Sequence, residues 1–185
     1  MRDLAARSSG CGNHAFVGVG SNLGDRLTMI TEAAHHLSET PGIAALVCSP
    51  IYETQPVGPA GPGNFLNAVF QLSLRVSPMQ LLRDLQEIEI ALGRCPPHGG
   101  PRPIDLDLLI YDDLVLQNDV LTIPHPRLSK RAFVLKPLAD LAPDTCHPES
   151  GLSVAELLAL LPKTNEIIGR FADPIVIAHA YTPAD

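Results

Sequence analysis

Apolar positions along the chain alternate between two rhythms, and the changes of rhythm mark the elements. Ala15-Phe16-Val17-Gly18-Val19-Gly20 reads as a buried strand running into a turn at Ser21-Asn22-Leu23-Gly24. Leu27, Ile30, Ala34 and Leu37 then recur at helical spacing until Pro41-Gly42 stops the helix. Ile43 to Tyr52 predicts a second strand and Phe65 to Val76 a third, with a breaker-rich loop from Gln55 to Gly63 between them. Ser77-Pro78-Met79-Gln80 is a helix start: a capping hydroxyl, proline at the first helical position, and a glutamine placed to complete a capping box. Leu81, Leu82, Leu85, Ile88 and Leu92 form the stripe of that helix, and Gly93 is its stop. Ile104 to Tyr111 predicts a strand, Leu114 to Ile123 a pair of short extended pieces, and Pro126 to Leu141 a helical stretch broken at Pro137. A second capping box, Ser153 with Glu156, precedes Leu157 to Leu161. The tail after Pro162 carries no clear pattern; Ile175-Val176-Ile177 suits a short strand or a docked extension. Strand, helix, strand, strand, helix, strand, then helices is an α+β order, with an antiparallel sheet and helices on its faces.

Composition narrows the function classes. Apolar residues are 45% of 185, enough for a core, and residues 1 to 13 read as a loose leader. A net charge of −7 with no basic patch argues against a nucleic-acid partner. No apolar run approaches the ~20 residues that span a bilayer, so no membrane partner is expected. Cys11, Cys48, Cys95 and Cys146 are scattered without a C-x-x-C pair, which points away from zinc and toward a reduced, cytoplasmic protein.

The candidate chemistry centres on Ile104-Asp105-Leu106-Asp107-Leu108-Leu109-Ile110. Alternation along a strand puts Asp105 and Asp107 on one face, their Cα atoms roughly 6–7 Å apart. Ile104, Leu106, Leu108 and Ile110 are expected on the other face, in the core. Two neighbouring carboxylates repel unless a cation lies between them, and magnesium, which shares oxygen ligands with nucleotide phosphates, suits the pair. The same D-x-D also suits a solvated strand face. Arg94, Arg102, His125, Arg127 and Arg131 surround it in the sequence, and Gln86 and Glu89 share a helix face. Carboxylates for a metal with guanidinium groups for phosphate are what phosphoryl transfer needs. Gly18-Val19-Gly20-Ser21-Asn22-Leu23-Gly24 invites a dinucleotide-loop reading, but its third glycine is displaced; a tight turn that needs glycine accounts for it.

In chain order, Val19-Gly20-Ser21-Asn22-Leu23-Gly24, Tyr52-Glu53-Thr54-Gln55-Pro56-Val57-Gly58, Phe65-Leu66-Asn67-Ala68, Glu87-Ile88-Glu89 with Gly93-Arg94, Gly100-Pro101-Arg102-Pro103-Ile104-Asp105-Leu106-Asp107-Leu108, and Pro124-His125-Pro126-Arg127-Leu128 with Arg131, Phe133 and Pro137-Leu138 resemble 6-hydroxymethyl-7,8-dihydropterin pyrophosphokinase. The likeness covers roughly residues 14 to 161 and gives a domain at 14–162 followed by an unassigned extension at 163–185. It implies a ferredoxin-like α+β fold, a mainly antiparallel sheet with helices on both faces in three layers. It implies transfer of pyrophosphate from ATP to the pterin hydroxymethyl group with release of AMP, a step of folate biosynthesis. By the same resemblance Asp105 and Asp107 hold two magnesium ions, and Arg94 and Arg102 stabilise the transferring group. Gln86, Glu89, Leu108, Thr122, His125, Pro126 and Arg131 form or support the ATP site. Thr54, Val57, Phe65, Asn67 and Phe133 bind the pterin, with the two phenylalanines stacking on its ring. The implied partners are the small-molecule substrates, with other folate-pathway enzymes left open, although 185 residues leave no room for a fused one.

One loop departs from the family. Between Arg94 and Gly100 the family commonly has a longer segment with further arginines and an Arg-Trp pair; here it reads Cys95-Pro96-Pro97-His98-Gly99. A short, proline-stiffened loop without arginine is expected to slow the chemistry and to spare pterin binding. It also motivates the competing expectation of a pterin- or nucleotide-binding homologue with weak or lost catalysis.

Overall fold

The structure, a computed structural model, describes residues 13–57, 63–95, 100–162 and 166–177. The expected leader lies outside the described residues except for Asn13, which begins the first strand, and positions 96–99 of the divergent loop lie outside them too. The strands of the main sheet are β1 (Asn13–Ser21), β2 (Ile43–Cys48), β3 (Ile51–Thr54), β4 (Phe65–Leu74), β5 (Asp105–Tyr111) and β8 (Ile167–Ala172). Two short strands, β6 (Leu116–Gln117) and β7 (Thr122–Ile123), form the expected hairpin after β5. The helices are α1 (Arg26–Glu39), α2 (Pro78–Ala91), α3 (Ala132–Leu141) and α4 (Val154–Leu160).

The strand order is β5-β1-β4-β3-β8, with β2 also on β4. Every described pairing is antiparallel. This is the expected ferredoxin-like arrangement, and it removes the dinucleotide reading, which needs β1 beside a parallel strand. Alternation along β1 sorts the core into two layers. Val17 and Val19 face α1 and α2, meeting Ile30, Ala34 and Leu37 of α1 and Leu81, Leu85 and Ile88 of α2. Phe16 faces α3 and α4, meeting Leu128, Val134, Leu135, Leu138 and Leu157.

Three local features differ from the sequence expectation, each for a physical reason. The strand expected over Ile43–Tyr52 is two strands, because Pro50 has no N–H for the ladder. Ser49 repairs the break: its N–H donates to the Val69 carbonyl and its Oγ accepts from the Val69 N–H, both at 2.9 Å. Pro137 does not break α3. The chain breaks earlier, at Arg131, between a 3-10 turn (Leu128–Lys130) and the helix, and Pro137 lies buried inside α3. At Ser77 the cap forms, with its Oγ accepting from the Gln80 N–H at 3.2 Å, but the Gln80 side chain turns forward to Asp84 and leaves the box half made. The box at Ser153 and Glu156 is complete.

The tail also differs. Residues 167–172, unassigned from sequence, form β8 on the outer edge of β3, with Thr54 opposite Ile167 and Glu53 opposite Gly169. Ile175 and Ile177 dock against the first core layer, as an extension rather than a strand. Among the described residues no helix is long and apolar enough to cross a membrane.

Candidate functional site

The sheet face toward α3 carries a depression, and its floor is made of missing side chains. Gly18 and Gly20 occupy the two positions of central strand β1 that point into it. A Cβ on Gly20 would stand 2.8 Å from Asn67 Oδ1, and one on Gly18 would stand 3.4 Å from Leu109. These glycines therefore serve close approach inside a strand. The turn expected of this segment is made by Gly24 instead, at φ 70°. Across this floor lie Asn67 and Asp105, both opposite Gly20, and Asp107, opposite Gly18. The two carboxylates share the cleft face as expected.

A bulge in β5 shapes the next part of the wall. Val17 pairs with Leu108 and Phe16 with Ile110, so Leu109 is the extra residue. It lines the cleft, and its carbonyl accepts from the His125 N–H at 2.8 Å, which fixes the loop beyond β7. The same bulge moves Ile110 into the layer under α3 and α4, away from the layer expected for it. The Leu108 side chain is buried in the opposite layer, so only its backbone is available to the cleft.

At one end of the cleft the walls are aromatic and polar. Phe65, Thr54, Gln55, Asn67, Val57 and Phe133 line it, bringing together all five expected pterin residues. Asn67 Nδ2 donates to Thr54 Oγ1 at 2.7 Å, and both side chains are buried. That bond fixes the amide orientation and leaves Asn67 Oδ1 over Gly20.

At the other end the charges collect. Asp105 pairs with Arg94 and Arg102, one on each carboxylate oxygen, at 2.6 Å. Arg131 lies 3.8 Å from Asp107. Arg102 also lies over the Phe65 ring and Arg131 over Phe133, at 5.6 and 5.3 Å from the ring centres. The buried Nε of Arg102 has no hydrogen-bond partner among the described residues. Asn22 anchors the loop that carries Arg102: its Oδ1 accepts from the Arg102 N–H at 2.8 Å. In the sequence Asn22 reads only as part of a turn, and no local pattern signals this role.

Burial shapes the ionisation of this cluster. It holds the Asp107 carboxyl above the usual carboxylate range, the neighbouring Asp105 charge adding to the effect while His125 and Arg131 oppose it. It pulls the His125 imidazole below its usual value despite the attraction of Asp107. Glu89 is buried behind the site, and desolvation raises its carboxyl while a bond from the Leu106 N–H and the charge of Arg94 act the other way. Its Oε1 accepts from Leu106 at 2.6 Å and pairs with Arg94, tying α2 to β5 directly beneath Asp105. Glu89→Leu leaves that buried N–H without an acceptor and takes from Arg94 one of its two carboxylate partners. It is expected to cost about 1–3 kcal/mol of stability, read as a lowered midpoint in urea unfolding.

Gln86 is exposed on α2, and Gln86, Thr122, His125 and Pro126 lie outside the cleft lining. Arg94 and Glu89 reach the site only through Asp105 and Leu106. Among the described residues no group of three His, Cys, Asp or Glu side chains could hold a metal ion. Asp105 and Asp107 are two oxygen-donor residues on one face, which suits a magnesium ion completed by ligand phosphates rather than a closed protein cage.

This geometry has counterparts in known proteins. The profile of the family described as 7,8-dihydro-6-hydroxymethylpterin-pyrophosphokinase (HPPK) matches residues 16–143. Over 148 residues the chain is 41% identical to the 2-amino-4-hydroxy-6-hydroxymethyldihydropteridine pyrophosphokinase of Methylorubrum extorquens, covering 80% of this chain and 92% of that one. It is 44% identical over 149 residues to the folic acid synthesis protein fol1 of Schizosaccharomyces pombe, with the same 80% of this chain covered. The aligned part spans only 20% of that fungal protein and 19% of its Pneumocystis carinii counterpart. Among solved structures, wild-type Plasmodium falciparum HPPK-DHPS with SDX-DHP aligns at a TM-score of 0.63 and 16% identity, covering 80% of this chain and 44% of that one. At that identity the likeness speaks for the fold.

Proposed function

The chain belongs to the 7,8-dihydro-6-hydroxymethylpterin-pyrophosphokinase family, and from that premise we propose that it transfers pyrophosphate from ATP to the hydroxymethyl group of 6-hydroxymethyl-7,8-dihydropterin. The observation that carries this reading is the continuity of one cleft. A slot between Phe65 and Phe133, edged by Thr54 and Asn67, opens directly onto Asp105, Asp107, Arg102 and Arg131.

In this reading the flat pterin stacks on Phe65 and Phe133, with Thr54, Asn67 and the backbone of Val57 at its hydrogen-bonding edge. The pterin hydroxyl oxygen bonds to the β-phosphorus of ATP, the bond from that phosphorus to the bridging oxygen on the AMP side breaks, and the hydroxyl proton is released. Asp105 and Asp107 are the residues that would hold magnesium, two ions in the fullest form of the proposal, and the metal would supply neutralisation of phosphate charge there. Arg102, which lines the cleft, and Arg94, which reaches it through Asp105, are the arginines proposed to carry charge on the transferring group. His125, Arg131 and the backbone of Leu108 serve ATP on the β5 side, with Gln86, Thr122 and Pro126 at its periphery and Glu89 supporting from behind. A cytoplasmic location is proposed with it, supported by the free thiols of Cys48, Cys95 and Cys146. Association with other folate enzymes is a further proposal, prompted by the bifunctional protein FolKE of Lactococcus lactis, 39% identical over 127 residues.

The test is AMP formation by the full chain. AMP is expected only when ATP, magnesium and the pterin are all present, and more slowly than in a relative with the longer loop assayed alongside. A folded protein that binds the pterin and makes no AMP would favour the binding-only homologue. Turnover equal to the long-loop relative would remove the expectation attached to residues 95–99.

A further inference from the structure

The edge strand β8 lies beyond the residues that the family profile matches, 16–143, yet together with Glu166 just before it and Arg26 it holds the two ends of one stretch of chain. The chain from Gln55 to Asn64 follows β3 and begins beside the pterin slot. At its start, the Gln55 N–H donates to the Glu166 carbonyl at 2.7 Å, extending the β3–β8 pairing by one bond past Thr54. At its end, Arg26 Nη1 donates to the Asn64 carbonyl at 2.9 Å. The same guanidinium pairs with Glu53 on β3 at 3.0 Å and lies over the Phe171 ring of β8, 5.8 Å from its centre. Arg26 begins α1, so a single side chain joins α1, β3, β8 and the entry to β4. Thr54 and Phe65, opposite each other across β3 and β4 and both lining the slot, are the residues immediately outside these two ties.

We infer that Arg26 and β8 form a clasp that sets the pterin-facing edge of the cleft, with Arg26 a positioning residue for pterin binding. The inference rests on the proposed reading of the cleft as a pterin site. Arg26 and Phe171 are absent from the cleft lining, so the clasp acts through the backbone ends it holds. Its bonds run to a carboxylate, a carbonyl and a ring at once, an arrangement for which a planar guanidinium with several fixed donors is suited and an ammonium is not. The charged end of the cleft, built on β5 and the Arg102 loop, receives none of these contacts. The clasp therefore bears first on the pterin end and reaches the charged end only through Arg102, which lies over Phe65.

The experiment measures binding of 6-hydroxymethyl-7,8-dihydropterin and of ATP with magnesium to the full chain and to Arg26→Ala, Arg26→Lys and Phe171→Ala. Arg26→Ala is expected to weaken pterin binding roughly tenfold, the size of a lost charge-assisted contact. ATP affinity should stay within about twofold and KM for the pterin should rise more than kcat falls. Arg26→Lys restores only part of the loss. Phe171 is 48% exposed, so Phe171→Ala keeps the fold and gives a smaller shift of the same kind. Unchanged pterin affinity in both Ala variants, or equal losses for pterin and ATP, would overturn the clasp. Failure of the unaltered chain to bind the pterin is a different result: it would sink the pterin reading itself, and the clasp's role with it.

Discussion

Replacing Asp107 with alanine is expected to reduce AMP formation by at least about a hundredfold while leaving a folded protein. Asp107 makes little that holds the structure together. Its ion pair to Arg131 is long at 3.8 Å, and its carboxylate stands beside that of Asp105 in surroundings that disfavour its charge. The side chain is 41% exposed and its pair is long, so its loss costs the fold little and the unfolding midpoint of Asp107→Ala should stay close to that of the unaltered chain. Asp105 is different: it is the hub on which Arg94 and Arg102 meet, and its loss would remove an ion pair from each. Asp107→Ala is thus the cleaner probe of chemistry. The paired readouts are single-turnover AMP formation and thermal unfolding, and an active Asp107→Ala would remove the carboxylate pair from the mechanism.

The second large effect is expected from a single methyl group. In Gly20→Ala the new Cβ would sit 2.8 Å from Asn67 Oδ1, closer than such contacts occur, so the amide must turn. Turning it breaks the 2.7 Å bond to Thr54 and leaves two buried polar groups to find new partners. The expected loss is about 1–3 kcal/mol of pterin binding, or roughly ten- to a hundredfold in affinity. ATP affinity is expected to change far less, because the bulk falls between Gly20 and Asn67 rather than beside the arginines. Isothermal titration with each substrate separately checks this. Equal weakening of both would mean that the strand, not the amide, had moved.

Asp107 and Gly20 also differ in how far the sequence reveals them. Asp105 and Asp107 declare themselves by alternation: once a strand is recognised, their shared face is a matter of its geometry. The glycines do not. Their role depends on Asn67 arriving from β4 and Leu109 from β5, strand partners that no local pattern names. The bulge at Leu109 is hidden for the same reason, since an extra residue in a ladder is defined only against its partner. Ser49-Pro50 interrupts a run that looks continuous in hydropathy, and only the absent N–H of proline hints at it. Pro137 misleads in the other direction, because tertiary burial outweighs its local preference. The five residues proposed for the pterin are named through family likeness, not through spacing, and all five line one cleft. The contacts of β8 are beyond reach from sequence, being made by backbone groups and by an arginine at the far end of the chain.

The pairing of β1 has a consequence for how the protein is made. Gly20, near the start of the chain, lies between Asn67 and Asp105, and the edge of the slot is tied to Glu166. A growing chain therefore has no half-built site to protect. The carboxylates can join the floor only after β5 has emerged from the ribosome and closed on a strand roughly 85 residues older, a long-range step that is slow for entropic reasons. Until then the β1 edge awaiting β5 is open to any extended peptide. The β1 edge is thus covered, and the carboxylates are set against Gly18 and Gly20, in one late closure, before α3 and β8 complete the cleft.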